Sequence, residues 1–147
     1  MGCAMEEQNG GVLRIGGMEL RFLVDETQGS GDVVMFEFVV PPAGRVPAAH
    51  FHREVDEVVY GLEGTLTSTV DGRKHELRKG DSLFLPRGSV HVHENLHADT
   101  VEVLTVLTPG SIGRRYFEEV AAVVNGGGPP DMARIKQIML NHGLVPA

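Results

Sequence analysis

Two histidines and a glutamate stand close together early in this chain. In "AHFHREVDEVVYGLEG", Ala49 to Gly64, His50 and His52 are followed by Glu57. Imidazole and carboxylate are metal-ligating groups, and residues two apart on a strand share a face. Glu57 lies five positions beyond His52, an odd number that puts it on the opposite face of one straight strand. The intervening "REVD", Arg53 to Asp56, is polar and need not be regular strand. A turn or bulge there resets the facing. Glu57 then shares a side with Val59 and Gly61, while Val58, Tyr60 and Leu62 take the other. Without that interruption the three groups are unrelated surface or core residues.

A second pair has the same spacing. Six of the seven histidines fall between positions 50 and 97, and His91 and His93 in "SVHVHEN" are again two apart. If that segment is a strand, both face one way. Barrel interiors collect alternate residues from each strand, so two adjacent strands plus a third carrying His91 make a geometrically reasonable site. His75, beside the Asp71-Gly72 turn, and His97, in "NLHAD", read as solvated. His142 lies near a helix C-terminus, where partial positive charge is favourable.

The elements that must hold these side chains are legible as short strands. "GMELRFLV" and "VVMFEFVV" (33–40) are rich in β-branched and aromatic residues, and "PPAGRVP" ends the latter. Phe36 and Phe38 share a face with Val34 and Val40, which predicts interior packing in a position to line a ligand pocket. "EVVYGLEG", "TLTSTV", Asp71-Gly72 and "RKHEL" follow, and Asp-Gly between alternating runs predicts a hairpin. A turn at Gly80-Asp81, a short apolar strand, "SVHVHEN" and "DTVEVLTVLT" complete the series. So many short strands separated by turns predict an all-β antiparallel sandwich or barrel.

After Pro109-Gly110 the period changes. "SIGRRYFEEVAAVV" sets Ile112, Tyr116, Phe117, Val120 and Val124 near one helical face, with Ser111 as N-cap. "DMARIKQIMLNHG" is predicted as a second helix between Asp131 and Gly143, with Ile135, Ile138 and Met139 as its apolar stripe. Met132 and Met139 read as helix-face packing. The organisation expected is a tail over 1–11, a β domain over 12–110 and a helical extension over 111–147, packed outside the β domain or against a partner subunit.

Composition narrows the function classes. The chain has 147 residues, 41% hydrophobic, which suits one globular domain with its own core. Acidic residues exceed basic ones by 20 to 13, giving a net charge of −7, and no run of Lys and Arg stands out. No nucleic-acid and no membrane partner is expected. The single cysteine, Cys3, forms no intramolecular disulfide. "MGCAME" departs from a myristoylation signal at Glu6, no basic region leads into an apolar run, and a cytoplasmic location is expected.

The two histidine segments together resemble a known family pattern. The first reads Gly44, five residues, His50, one, His52, four, Glu57, six, Gly64. The second reads Gly80, five residues, Pro86, one, Gly88, two, His91, three, Asn95. These resemble the two motifs of the cupin superfamily, with every signature position filled, over Gly44 to Asn95. The layout is also similar to that of small single-domain, quercetin-dioxygenase-like metal cupins. The resemblance implies an antiparallel jelly-roll β-barrel followed by short C-terminal helices. It implies one divalent transition metal per chain, held by His50, His52, Glu57 and His91, a small-molecule substrate and a homodimer. Gly88 and Asn95 read as structural, serving a turn and side-chain-to-backbone hydrogen bonds.

Three imidazoles and a carboxylate suit Fe, Mn, Ni, Cu or Zn and leave coordination positions open. A structural zinc site is usually closed and thiolate-rich, which a lone cysteine does not supply. His93 is left as a partner of a ligand, an alternative ligand or a general base, and Glu57 and His93 are the candidate catalytic groups. The chemistry expected is dioxygenase-type oxidation of a small organic molecule. Two alternatives stand beside it: a non-redox isomerase, lyase or decarboxylase, and a non-catalytic binding module.

Overall fold

The computed structural model of the protein describes residues 11–45 and 48–147. Cys3 and nearly all of the 1–11 tail lie outside the described residues. Eleven strands and two helices follow in the order β1 (Val12–Ile15), β2 (Met18–Val24), β3 (Val34–Val40), β4 (His50–His52), β5 (Asp56–Glu63), β6 (Leu66–Val70), β7 (Arg73–Leu77), β8 (Ser82–Leu85), β9 (His91–Glu94), β10 (Val101–Thr108), α1 (Arg114–Val124), α2 (Met132–Asn141) and β11 (Leu144–Pro146).

Two antiparallel sheets carry the fold, ordered β1-β2-β3-β10-β5-β8 and β11-β4-β9-β6-β7. Among the described residues they share no strand, so the expected barrel is a jelly roll of two sheets with open edges. The strand sequences explain the layering. β3 and β10 alternate strictly between buried and partly exposed positions, as a sheet with one face in the core requires. Val34, Phe36, Phe38 and Val40 all point inward. Phe36 packs against Phe22 at 5.3 Å between ring centroids and against Phe117 of α1 at 5.2 Å. Such tilted and edge-on aromatic pairs add to the burial of their area.

Turn chemistry fixes the registers. Asp71 and Gly72 both take positive φ, 46° and 83°, as a two-residue hairpin turn of the primed type demands. They join β6 to β7 in the expected hairpin. At Gly61 the 78–81 turn lies against β5, and a Cβ there would sit 2.1 Å from the Arg78 carbonyl oxygen. Only glycine allows that approach.

The C-terminal residues depart from expectation in three ways. α1 is capped at Gly113, not Ser111, and Gly113 makes no side-chain capping bond. The Glu26 carboxylate, from the β2–β3 loop, accepts from the amides of Arg114 (2.9 Å) and Arg115 (3.3 Å) instead. A tertiary neighbour has taken the capping role that local sequence assigned to a serine. Met132 stays 39% exposed, whereas Met139 is buried as expected. Finally, β11 is a strand that the sequence did not announce. It lies at the edge of the second sheet, paired with β4. α2 follows expectation, with Asp131 accepting from the Arg134 amide at 3.1 Å.

Candidate metal centre

The parity problem at Glu57 is solved by a change of sheet. β4 ends at His52 in one sheet, and β5 begins at Asp56 in the other. The polar segment between them carries the chain across the sandwich, so Glu57 faces His50 and His52 from the opposite wall. Glu57, Val59 and Gly61 are buried, while Val58 and Tyr60 are exposed. β9 runs beside β4, with His50 opposite His91, and β6 runs along its other side, with Ser68 opposite His93.

Five side chains meet in this space: His50, His52, Glu57, His91 and His93, all buried. Potential ligand atoms of His50, His52 and His91 lie within 4.8 Å of one another, and so do those of Glu57, His91 and His93. Glu57 links the groups through its two oxygens. Its Oε1 lies 3.9 Å from His52 Nε2 and 3.8 Å from His91 Nε2. Its Oε2 accepts a 2.8 Å hydrogen bond from His93 Nε2. His93 Nδ1 in turn lies 2.8 Å from the Ser68 hydroxyl. A carboxylate can only accept, so His93 Nε2 carries the hydrogen, and in the uncharged ring Nδ1 accepts from Ser68. The sequence motifs did not mark Ser68; only the β6–β9 register shows its place.

The tautomers of His50 and His91 are set by the main chain. His50 Nδ1 is 2.8 Å from the Ala48 carbonyl, and His91 Nδ1 is 3.0 Å from the Ser89 carbonyl. Each ring donates to the carbonyl two residues before it, which leaves Nε2 with a free lone pair. His91 Nε2 is buried without a hydrogen-bond partner. An orphaned buried acceptor is costly, and a bound cation would satisfy it. The donor set therefore fits a transition-metal ion, with Nδ1 anchored and Nε2 offered in the manner usual for ligating histidines.

Burial tunes the charges in the same direction. It lowers the His50 pKa to about 3, with His91 adding to the effect. Burial also outweighs the attraction of Glu57 at His52 and brings that ring to about 4. His91 is lowered as well, again mainly by burial. Desolvation would raise Glu57, but the hydrogen bond from His93 and the surrounding imidazoles reverse this and hold its carboxyl below the usual range. Near neutral pH His50, His52 and His91 are offered as uncharged imidazoles beside the Glu57 carboxylate, the protonation states a metal ion needs.

A cavity opens onto these side chains. Beyond the histidine cluster its walls come from the sheets, including Leu20, Phe36 and Phe38, and from the C-terminal residues Ile112, Tyr116, Phe117 and Met139. The helices expected on the outside thus form part of the site's enclosure. Gly88 takes positive φ and donates its amide to the His52 carbonyl. Asn95 donates to the carbonyls of Val40 and Asp99. Both serve the backbone, as expected. His75 is exposed, and His97 pairs at the surface with Glu76.

A family model described as "Cupin domain" matches residues 36–107, the span that contains all five clustered side chains. The chain belongs to the cupin superfamily. This cupin is 31% identical over 70 residues to an uncharacterised protein of Methanocaldococcus jannaschii, covering 48% of this chain and 56% of that one. It is 28% identical over 106 residues to the quercetin 2,3-dioxygenase of Bacillus subtilis, covering 72% of this chain and 31% of the relative. The chain thus spans between about a third and just over half the length of these curated relatives. Among solved structures, the polyketide cyclase RemF from Streptomyces resistomycificus superposes with a TM-score of 0.56 at 31% identity, covering 62% of this cupin and 64% of the cyclase.

Proposed function

We propose that this cupin holds one divalent transition metal through His50, His52, Glu57 and His91 and acts as a dioxygenase-type enzyme on a small organic molecule. The observation that carries the metal reading is the orphaned His91 Nε2 beside the anchored His50 ring. A redox metal such as iron would supply binding for substrate oxygens and activation of O₂. The protein's own groups do the rest. The apolar walls exclude water, Glu57 presents one oxygen to the imidazoles, and His93, fixed by Ser68, holds the other. That link gives a proton a path from His93 Nε2 to Glu57. Similarity to the quercetin 2,3-dioxygenase supports the oxygenase assignment.

The decisive experiment measures metal content after purification without added metal or chelator. About one equivalent per chain, lost in His50→Ala, is expected; full occupancy in that variant would remove the ligand set. Oxygen uptake on catechol- and enol-type compounds then tests the reaction. Absence of uptake with every loaded metal sinks the oxygenase reading.

The Ser68–His93–Glu57 chain favours a second reading, a non-redox isomerase, lyase or decarboxylase in which the metal polarises a carbonyl and His93 moves a proton. Turnover under nitrogen with zinc or manganese separates it from the first. A metal-loaded protein that binds a metabolite without converting it would instead be a binding module. The homodimer is part of this proposal, as is a cytoplasmic location. Among the described residues no helix is long and apolar enough to cross a membrane.

A further inference from the structure

Polarity is unevenly distributed around the cavity. The histidines and Glu57 cluster together, and most of the remaining lining is hydrocarbon and aromatic ring, including Leu20, Phe36, Phe38, Ile112, Phe117 and Met139. Thr105 and Tyr116 are the other polar residues among those described, and burial raises the Tyr116 pKa, so its hydroxyl stays protonated. No Lys, Arg, Asp, Asn or Gln borders the cavity among the described residues. A phosphate or second carboxylate on a ligand would need a cationic fork or a free helix N-terminus. Both helix N-termini are already taken, by Glu26 at α1 and Asp131 at α2.

Size adds a limit. The space open to the centre of a water-sized sphere is about 80 Å³. One water needs ~10–15 Å³ on that measure, so roughly six water-sized groups fit, the scale of a single ring and not of a three-ring system.

We infer that the ligand of this site is a single-ring molecule with oxygen donors on one edge and uncharged hydrocarbon on the other. Sugar phosphates, dicarboxylates and multi-ring flavonols are outside this class. The inference rests on the metal reading above, because the oxygen-bearing edge is placed against the histidines and Glu57. The hydrocarbon edge then replaces water along Phe36, Phe117 and Met139, where each buried methylene strengthens binding.

Isothermal titration of the zinc-loaded protein tests this without turnover. Zinc does not oxidise catechols, so catechol, 4-methylcatechol, 4-ethylcatechol, adipate, ribose 5-phosphate and a three-ring flavonol can be compared. Affinity is expected to rise about fourfold per added methylene from catechol to 4-ethylcatechol. Adipate, ribose 5-phosphate and the flavonol are expected to bind at least tenfold more weakly than 4-ethylcatechol. Phe117→Ala, a change at a partly exposed residue, should reduce the affinity gain per methylene to less than about twofold. Equal or tighter binding of ribose 5-phosphate, adipate or the flavonol would overturn the class, as would a flat alkyl series. If the wild-type protein takes up no zinc, both this inference and the metal reading fall. If it takes up one equivalent and prefers the anions, only this inference falls.

Discussion

His50 and His91 sit on neighbouring strands and make the same local bond, each Nδ1 to the carbonyl two residues earlier. That repetition fixes two lone pairs toward one space, and the chemistry of the site follows from it. Ser68 extends the logic one step further out, since it sets which nitrogen of His93 meets Glu57. Replacing such outer partners typically costs 10–100-fold in metal affinity or activity. Ser68→Ala is therefore expected to weaken metal binding about tenfold in a chelator competition, and Ser68→Thr, which keeps the hydroxyl, to recover part of it. Equal affinity in wild type and Ser68→Ala would show that His93 does not depend on the serine.

The titration of the same residues gives a pH prediction for metal-free protein. His50 and His52 titrate near 3 and 4 when folded, against 6.5 when unfolded. Between these values the unfolded chain binds protons that the folded chain does not, so stability falls as pH falls. Glu57 has the same sign further down. Its depressed pKa contributes stability above the unfolded value of 4.5, and that contribution is lost as pH drops below it. The urea midpoint of chelator-treated protein should decline steadily from pH 7 to pH 4, and saturating metal should delay the decline. A midpoint constant over that range would contradict the buried, uncharged assignment.

At the scale of elements, the ligand-bearing strand β4 is only three residues long. It meets β9 at a single residue pair, His50 with His91, whereas β11 pairs with all three of its residues. The Arg53 amide to the Gly143 carbonyl and the Ala147 amide to the Ala49 carbonyl close the two ends. The last strand of the chain therefore holds the first two histidines in place. Deleting residues 144–147 is expected to lower metal affinity at least tenfold, read by metal titration, with the far-ultraviolet spectrum reporting retention of the sheets. Unchanged affinity would mean that β9 alone suffices. Glu26 plays a parallel part for α1, and Glu26→Ala should cost about 1 kcal/mol in urea unfolding, as loss of a helix cap does.

For the whole molecule, the outer surface of the larger sheet matters. Phe84 is 59% exposed on the edge strand β8, beside Val58 at 38% and Tyr60 at 41% on β5. A contiguous apolar stripe is what a symmetric partner would cover, and the proposed homodimer places it there. Phe84→Lys should shift sedimentation from dimer to monomer without changing metal content. A wild-type monomer at micromolar concentration would remove the dimer from the proposal.

The sequence by itself determined the strand pattern, the hairpin at Asp71-Gly72 and the interruption between His52 and Glu57. Each is local: period-two alternation, a turn needing positive φ, and a polar break between apolar runs. Motif spacing also brought His50, His52, Glu57 and His91 under one reading, and the structure gathers them with His93. Tertiary structure decided what depends on distant chain segments. Ser68 meets His93 only through the β6–β9 register, and Glu26 caps α1 from 88 residues away. β11 is three residues with no periodicity to read, and it is a strand because β4 has an open edge. The enclosure of the cavity by α1 and α2 was likewise invisible, since an amphipathic stripe shows that a helix face is buried but not what it is buried against.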